Sequence, residues 1–243
     1  MNKLTLFALL AIAATNSNAQ SYTIEYEERA NIENQLKHVT DPETRKRVGA
    51  YLSKPTTYYL YYTNGESLYM QQREKMDSAS ELSVRDDKEK RIVIGKNNGG
   101  IYKNYKTNEY LHEADVLGKQ LLVKDKLEKY NWQLLDETKK IGSYNCKKAT
   151  ASINNEAVTA WYTEDVPLQE GPRDYYGLPG LVIEVIAEKK TYHAIKIIDS
   201  KAQISITKPS KGSVVTKKEY VKILDEKIND LKRELGGGNP PRN

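Results

Sequence analysis

The sequence predicts an α+β fold: one large, curved antiparallel β-sheet, half-barrel like, with a short N-terminal helix and a C-terminal amphipathic helix. Three observations carry this. Apolar and polar side chains alternate with a period of two through much of the 243-residue chain, as in strands with one buried face. Tyrosine outnumbers phenylalanine 18 to one, which suits strand faces where the ring packs and the hydroxyl stays wet. Near the C-terminus Val221, Leu224, Ile228, Leu231 and Leu235 recur at three- and four-residue spacing, the stripe of an amphipathic helix. A closed barrel is the alternative closure of such a sheet.

The elements follow in order. Asn2 and Lys3 precede an apolar run over residues 4–14 and a small, polar stretch ending at Ala19, so residues 1–19 read as a secretory signal peptide. The expected location is periplasmic or secreted. Residues 22–26 alternate as a strand. Asp41 stands where a helix N-cap belongs, with Pro42 at the first helical position. Asn64-Gly65 between two β-rich runs marks a hairpin. Residues 75–90 read as a mobile polar loop. From residue 91 the sequence predicts strands over 91–95, 101–110, 120–128, 132–138, 144–153, 157–163, 181–187 and 191–198, joined by short turns as a meander. Residues 165–176 interrupt it as a Pro- and Gly-bearing excursion, the kind of loop that carries function on a rigid scaffold. The terminal helix is expected to lay its stripe on the sheet and to end at Gly236. The domain organisation is therefore a signal peptide (1–19), one β-rich domain (20–235) and a disordered tail (236–243).

Composition narrows the function classes. The formal charge is +5, or +4 once Lys3 leaves with the signal region, and acidic and basic residues are interspersed. That is not the clustered basic face of a nucleic-acid reader. The longest N-terminal apolar run is too short for a membrane span, which needs about 20 residues. One cysteine, Cys146, excludes an internal disulfide, and its thiol reads either as a core residue or as a reactive group. The histidines at 38, 112 and 193 have no neighbouring ligand at metal-binding spacing; a copper or zinc site would have to be assembled by the fold, from Cys146 and His193. No Gly-x-Ser-x-Gly elbow is present, and no signature surrounds Cys146 as a nucleophile.

The most specific stretch is Gly177-Leu178-Pro179-Gly180-Leu181, followed by Val182-Ile183-Glu184-Val185-Ile186. Pro179 and Gly180 read as the central residues of a type II turn, with Gly180 at positive φ. Glu184 lies within the apolar run, either solvated or paired, and Arg173 is its candidate partner. The turn, with residues 132–138, 141–149 and 160–163, Pro167 and Gly171-Pro172, resembles the GLPGLI family of secreted Bacteroidetes proteins. That resemblance implies an outer-membrane TonB-dependent transporter as a partner.

The sequence reading therefore expects a noncatalytic periplasmic binding or accessory protein, not an enzyme and without a cofactor, holding a peptide or an apolar ligand. The binding candidates are Trp161, Tyr162, Arg173, Tyr175, Tyr176, Leu178, Pro179 and Glu184. A metal-handling protein is the alternative and a hydrolase the third reading.

Overall fold

The structure, a computed structural model, describes residues 21–71, 91–94, 100–200 and 203–236. The expected signal peptide, the polar loop at 75–90 and most of the tail lie outside the described residues. The first half contains β1 (Ser21–Ala30), α1 (Ile32–Gln35), α2 (Pro42–Leu52), β2 (Thr56–Thr63), β3 (Glu66–Gln71), β4 (Arg91–Ile94), β5 (Gly100–Asn104), β6 (Glu109–Val116) and β7 (Lys119–Asp125). The second half contains β8 (Gln133–Ile141), β9 (Tyr144–Ile153), β10 (Glu156–Thr163), β11 (Leu181–Ile186), β12 (Lys190–Ser200), β13 (Gln203–Ile206), β14 (Ser213–Val215) and α3 (Lys217–Gly236).

Among the described residues twelve strands form one open sheet in the order β14-β7-β6-β5-β3-β2-β1-β12-β11-β10-β9-β8. Two antiparallel runs, β2, β3, β5, β6 and β7 on one side and β8 to β12 on the other, flank β1. Ser21 to Ala30 pair with β12 on one edge, and Ser21 to Glu28 pair with β2 on the other. The sheet is mixed rather than purely antiparallel, because β14 runs parallel to β7. β13 and β4 form a separate parallel ribbon.

Local chemistry explains the turns. Asn64 and Gly65 both have positive φ (51° and 81°), as a tight right-twisted hairpin requires. Asp41 caps α2 by accepting from the Thr44 amide at 2.7 Å, and Pro42 follows at the first helical position. The strand expected over residues 101–110 is instead a hairpin. The Asn104 side chain accepts from the amides of Lys106 and Thr107, both at 2.9 Å, and so bends the chain without Gly or Pro.

Alternation sorts the side chains onto two faces. Tyr22, Ile24 and Tyr26 of β1 join Leu60, Tyr69, Ile101, Cys146 and Trp161 in one core cluster. Tyr162, Val182, Val185 and Tyr192 belong to a second cluster. A bulge re-phases β11: Tyr162 pairs with Val182 while Trp161 pairs with Glu184, leaving Ile183 as the extra residue. Leu181 and Ile183 therefore enter the first cluster and Val185 the second.

Helix α3 differs from expectation. Its start is fixed by a capping box, in which the Glu219 amide donates to Thr216 Oγ1 (3.2 Å) and the Thr216 amide to Glu219 Oε2 (2.7 Å). Because it begins at the sheet edge beside β14 and β7, its first turn reaches the sheet, where the Tyr220 ring meets His112 edge-on at 5.6 Å. Further along, Val221 and Ile228 are 51% and 46% exposed.

Candidate functional site

The loop from 164 to 180 is strapped across the face carrying the first core cluster. Val166 and Leu168 are buried in that cluster, and the loop's backbone is tied down by Leu181 N to Val166 O (3.1 Å) and Val182 N to Glu170 O (2.9 Å). Two polar clasps complete the attachment. In the first, the buried Lys103 ammonium of β5 donates to Glu170 Oε2 at 2.5 Å and to the carbonyls of Gly171 and Arg173 at 3.4 and 3.3 Å. All three ammonium protons thus find acceptors on the loop.

In the second clasp the buried Glu28 carboxylate of β1 accepts from Arg173 Nε (2.7 Å) and Nη2 (3.2 Å), Tyr69 OH (3.0 Å) and Lys190 Nζ (2.8 Å). Burial disfavours the Arg173 charge, but the Glu28 carboxylate more than restores it and holds the guanidinium above its usual pKa. Arg173 adopts φ 50°, a left-handed conformation rare for a side chain of this size.

Beside the strap lie two cavities, of about 550 and 630 Å³, whose walls share Ile101, His112 and Arg173. Tyr58, Tyr69 and Met70 line the first; Tyr110, Asp174, Lys217 and Tyr220 line the second. Burial, reinforced by the Arg173 and Lys217 charges, lowers the His112 imidazole to about 4 against the pull of Asp174, so it is neutral at physiological pH. Lys217 lies 3.5 Å from both Asp174 and Glu128 and 4.0 Å above the Tyr110 ring. A third cavity, of about 560 Å³, opens along β8 and β9 and shares Glu128 and Asn154 with the second.

The residues singled out from the sequence are distributed as follows. Arg173 lines both joined cavities, and its ionic partner is Glu28, not Glu184. Glu184 instead pairs with Lys139, with His193 Nδ1 at 3.8 Å, and Lys139 lies 4.3 Å above the Trp161 ring. Tyr162 and Leu178 are buried in the second core cluster. Tyr175 packs on Tyr192 at 5.2 Å, and the Tyr176 hydroxyl accepts from the Glu128 amide at 2.9 Å. Pro179 is exposed.

The type II turn is corrected: positive φ belongs to Gly177 (88°), not Gly180. Gly180 is required by close approach, since a Cβ there would lie 2.0 Å from the Thr163 carbonyl oxygen. Cys146 is fully buried, and burial raises its thiol to about 11. Among the described residues no group of three His, Cys, Asp or Glu side chains could hold a metal ion, and no helix is long and apolar enough to cross a membrane. Sequence reasoning missed Glu28, Lys103, Tyr58, His112 and Asp174. For Lys103 a signal existed, a lysine on the apolar-face phase of Ile101.

Fold and site together define a sheet-dominated domain with a loop clasped over a tyrosine- and charge-lined cavity. The family model described as N-glycanase peptide, N-terminal domain matches residues 76–226. The chain belongs to that family. Two solved structures of PNGF-II, in different space groups, share the fold. One matches at 20% identity and TM-score 0.53, covering 86% of this chain and 33% of that one. The other matches at 19% and 0.54, covering 86% and 34%. The chain thus spans about one third of the length of these solved relatives. Among curated proteins, none matches the chain.

These findings overturn the GLPGLI resemblance. Its Gly180 answers a packing demand, the close backbone approach to Thr163. They also overturn the noncatalytic binding or accessory role and the expectation that the chain is not an enzyme. The family's description, N-glycanase peptide, is of the hydrolase kind, the third of the sequence readings.

Proposed function

We propose that this chain works in the hydrolytic removal of N-linked glycans, as the N-terminal domain of an N-glycanase-type enzyme, with the central cavity as its reaction chamber. The observation that carries this reading is the family match, whose span of residues 76–226 contains the entire wall of that cavity, from Ile101 to Val221. In support, the cavity combines the solvent-reachable Asp174 carboxylate with a neutral imidazole at His112 and an ammonium at Lys217. A carboxylate can take a proton from attacking water, a neutral imidazole can hold a hydroxyl or amide, and an ammonium can stabilise developing negative charge. The volume of about 630 Å³ suits a ligand-sized group. We read the sheet as curving around this chamber, with the 164–180 strap and the first turn of α3 forming its rim.

The test is release of glycan from an N-glycopeptide, followed by mass spectrometry of both products. The expected result is release that Asp174→Asn reduces about 100-fold or more, in keeping with loss of a general base. Glycan binding without release would move hydrolysis off this chain. Neither release nor binding would overturn the reading entirely.

A further inference from the structure

The two edges of the sheet are finished differently. At one, β14 has three residues and α3 starts beside it, so little strand is offered for pairing. At the other, β8 runs for nine residues and is paired by β9 alone among the described residues, which leaves its outer row of backbone amides and carbonyls open. Every residue from Gln133 to Thr138 is exposed, Leu134 and Leu135 by 54% and 37%. We infer that this edge is an interface to which a second copy of the chain adds its own β8, antiparallel and centred on Thr138.

The sequence of β8 is self-complementary about that centre. Leu135-Asp136-Glu137 precede Thr138, and Lys139-Lys140-Ile141 follow it. In the antiparallel pair, Glu137 of each copy faces Lys139 of the other, Asp136 faces Lys140 and Leu135 faces Ile141, and the two-fold axis makes each pair twice. Opposite charges and apolar groups directly across strands stabilise a sheet, whereas like charges there destabilise it. Centred one residue earlier, the pair would set Glu137 on Glu137; centred one later, Lys139 on Lys139. A parallel, in-register pair would set every charge on its like. The pattern therefore singles out Thr138 as the centre.

The charges are available. Asp136 and Lys140 are exposed and form no ion pair with any described residue. Glu137 receives Lys148 at 3.0 Å from both carboxylate oxygens, and Lys139 pairs with Glu184, so both are held in place on β8. A carboxylate accepts more than two donors and an ammonium carries three protons, so each can take a further partner. The pairing of β8 with β9 is irregular between Leu134 and Thr138. Such a bulge, with lysines on the edge, deters an unrelated strand from joining. A second copy answers the lysines with acids, which turns the deterrent into selectivity for self. The bulge also keeps the contact short, which places it in the weak, reversible class.

The test is sedimentation equilibrium of the whole chain over a concentration series, with Asp136→Lys, Lys140→Asp and the exchange that joins both. The positions are exposed, and an unchanged Tm verifies each fold. The expected result is a monomer–dimer equilibrium for the unaltered chain. Each single substitution turns two attractive pairs repulsive and should weaken dimerisation about tenfold or more. The exchange should restore it, and so should mixing the two single variants, because opposite charges then face each other again. A chain still monomeric at high micromolar concentration, a dimer indifferent to the single substitutions, or an exchange as weak as the singles would overturn the interface. None of these readouts depends on the hydrolytic reading.

Discussion

Lys103 Nζ lies 2.5 Å from Glu170 Oε2, and both side chains are withdrawn from solvent. The pair joins the floor of the sheet to the strap that walls the cavity. A buried pair contributes little compared with an apolar replacement of both partners, but removing one partner strands the other charge. Lys103→Met should therefore cost about 3–5 kcal/mol and loosen the strap. Lys103→Met with Glu170→Leu should recover part of that loss. Urea denaturation of the three proteins checks the order.

Gly177 and Gly180 flank the same turn and should respond differently to a methyl group. Gly177 has open space around its Cβ position and a φ of 88°, so Gly177→Ala should cost only the left-handed strain, about 1–2 kcal/mol. At Gly180 the new Cβ would sit 2.0 Å from a backbone oxygen, which no side-chain rotation relieves. Gly180→Ala should show much the lower Tm by calorimetry, or fail to fold.

His112 gives stability a pH dependence. Its imidazole titrates at about 4 in the folded chain, against 6.5 for the ordinary group, so between these values the unfolded chain binds a proton that the folded one does not. Stability must then fall as pH drops from 6.5 towards 4, level off below, and be fully present above 6.5. The effect is at most about 3 kcal/mol. His112→Gln should flatten this part of the profile, measured by denaturation at closely spaced pH values.

Cys146 should be inert in the folded protein. With no exposed surface and a thiol raised to about 11, it presents almost no thiolate at neutral pH. An aromatic disulfide reagent should leave it unlabelled at pH 7.5 and react fully in guanidinium. Rapid labelling of native protein would show the β9 face to be open.

What was legible in the sequence was local. Asp41-Pro42 announced α2, Asn64-Gly65 announced the first hairpin, and alternation announced most strands, because each depends on residues within a few positions of one another. The hairpin at Asn104 escaped because an Asx side chain, not Gly or Pro, makes its bend. The site escaped for a different reason. Glu28 and Arg173 are 145 residues apart, and Lys103 and Glu170 are 67 apart, so no spacing rule could join them. Arg173 stands out from its loop, but Glu184, its nearest candidate partner in sequence, is not the one the fold supplies. The bulge at Ile183 sent Glu184 to Lys139 instead.

The placement of β1 sets an order of assembly. Its flank against β12 joins Ser21 to Ser200, so β1, the first of the described strands, has one edge waiting until β12 is made. The β2–β3, β5–β6–β7 and β8–β9–β10 units can zip from their own turns, but the union of the two halves on β1 is a long-range closure that local contacts cannot accelerate. Until then two unsatisfied strand edges face solvent, and the maturing chain is most vulnerable to pairing with a neighbour of its own kind.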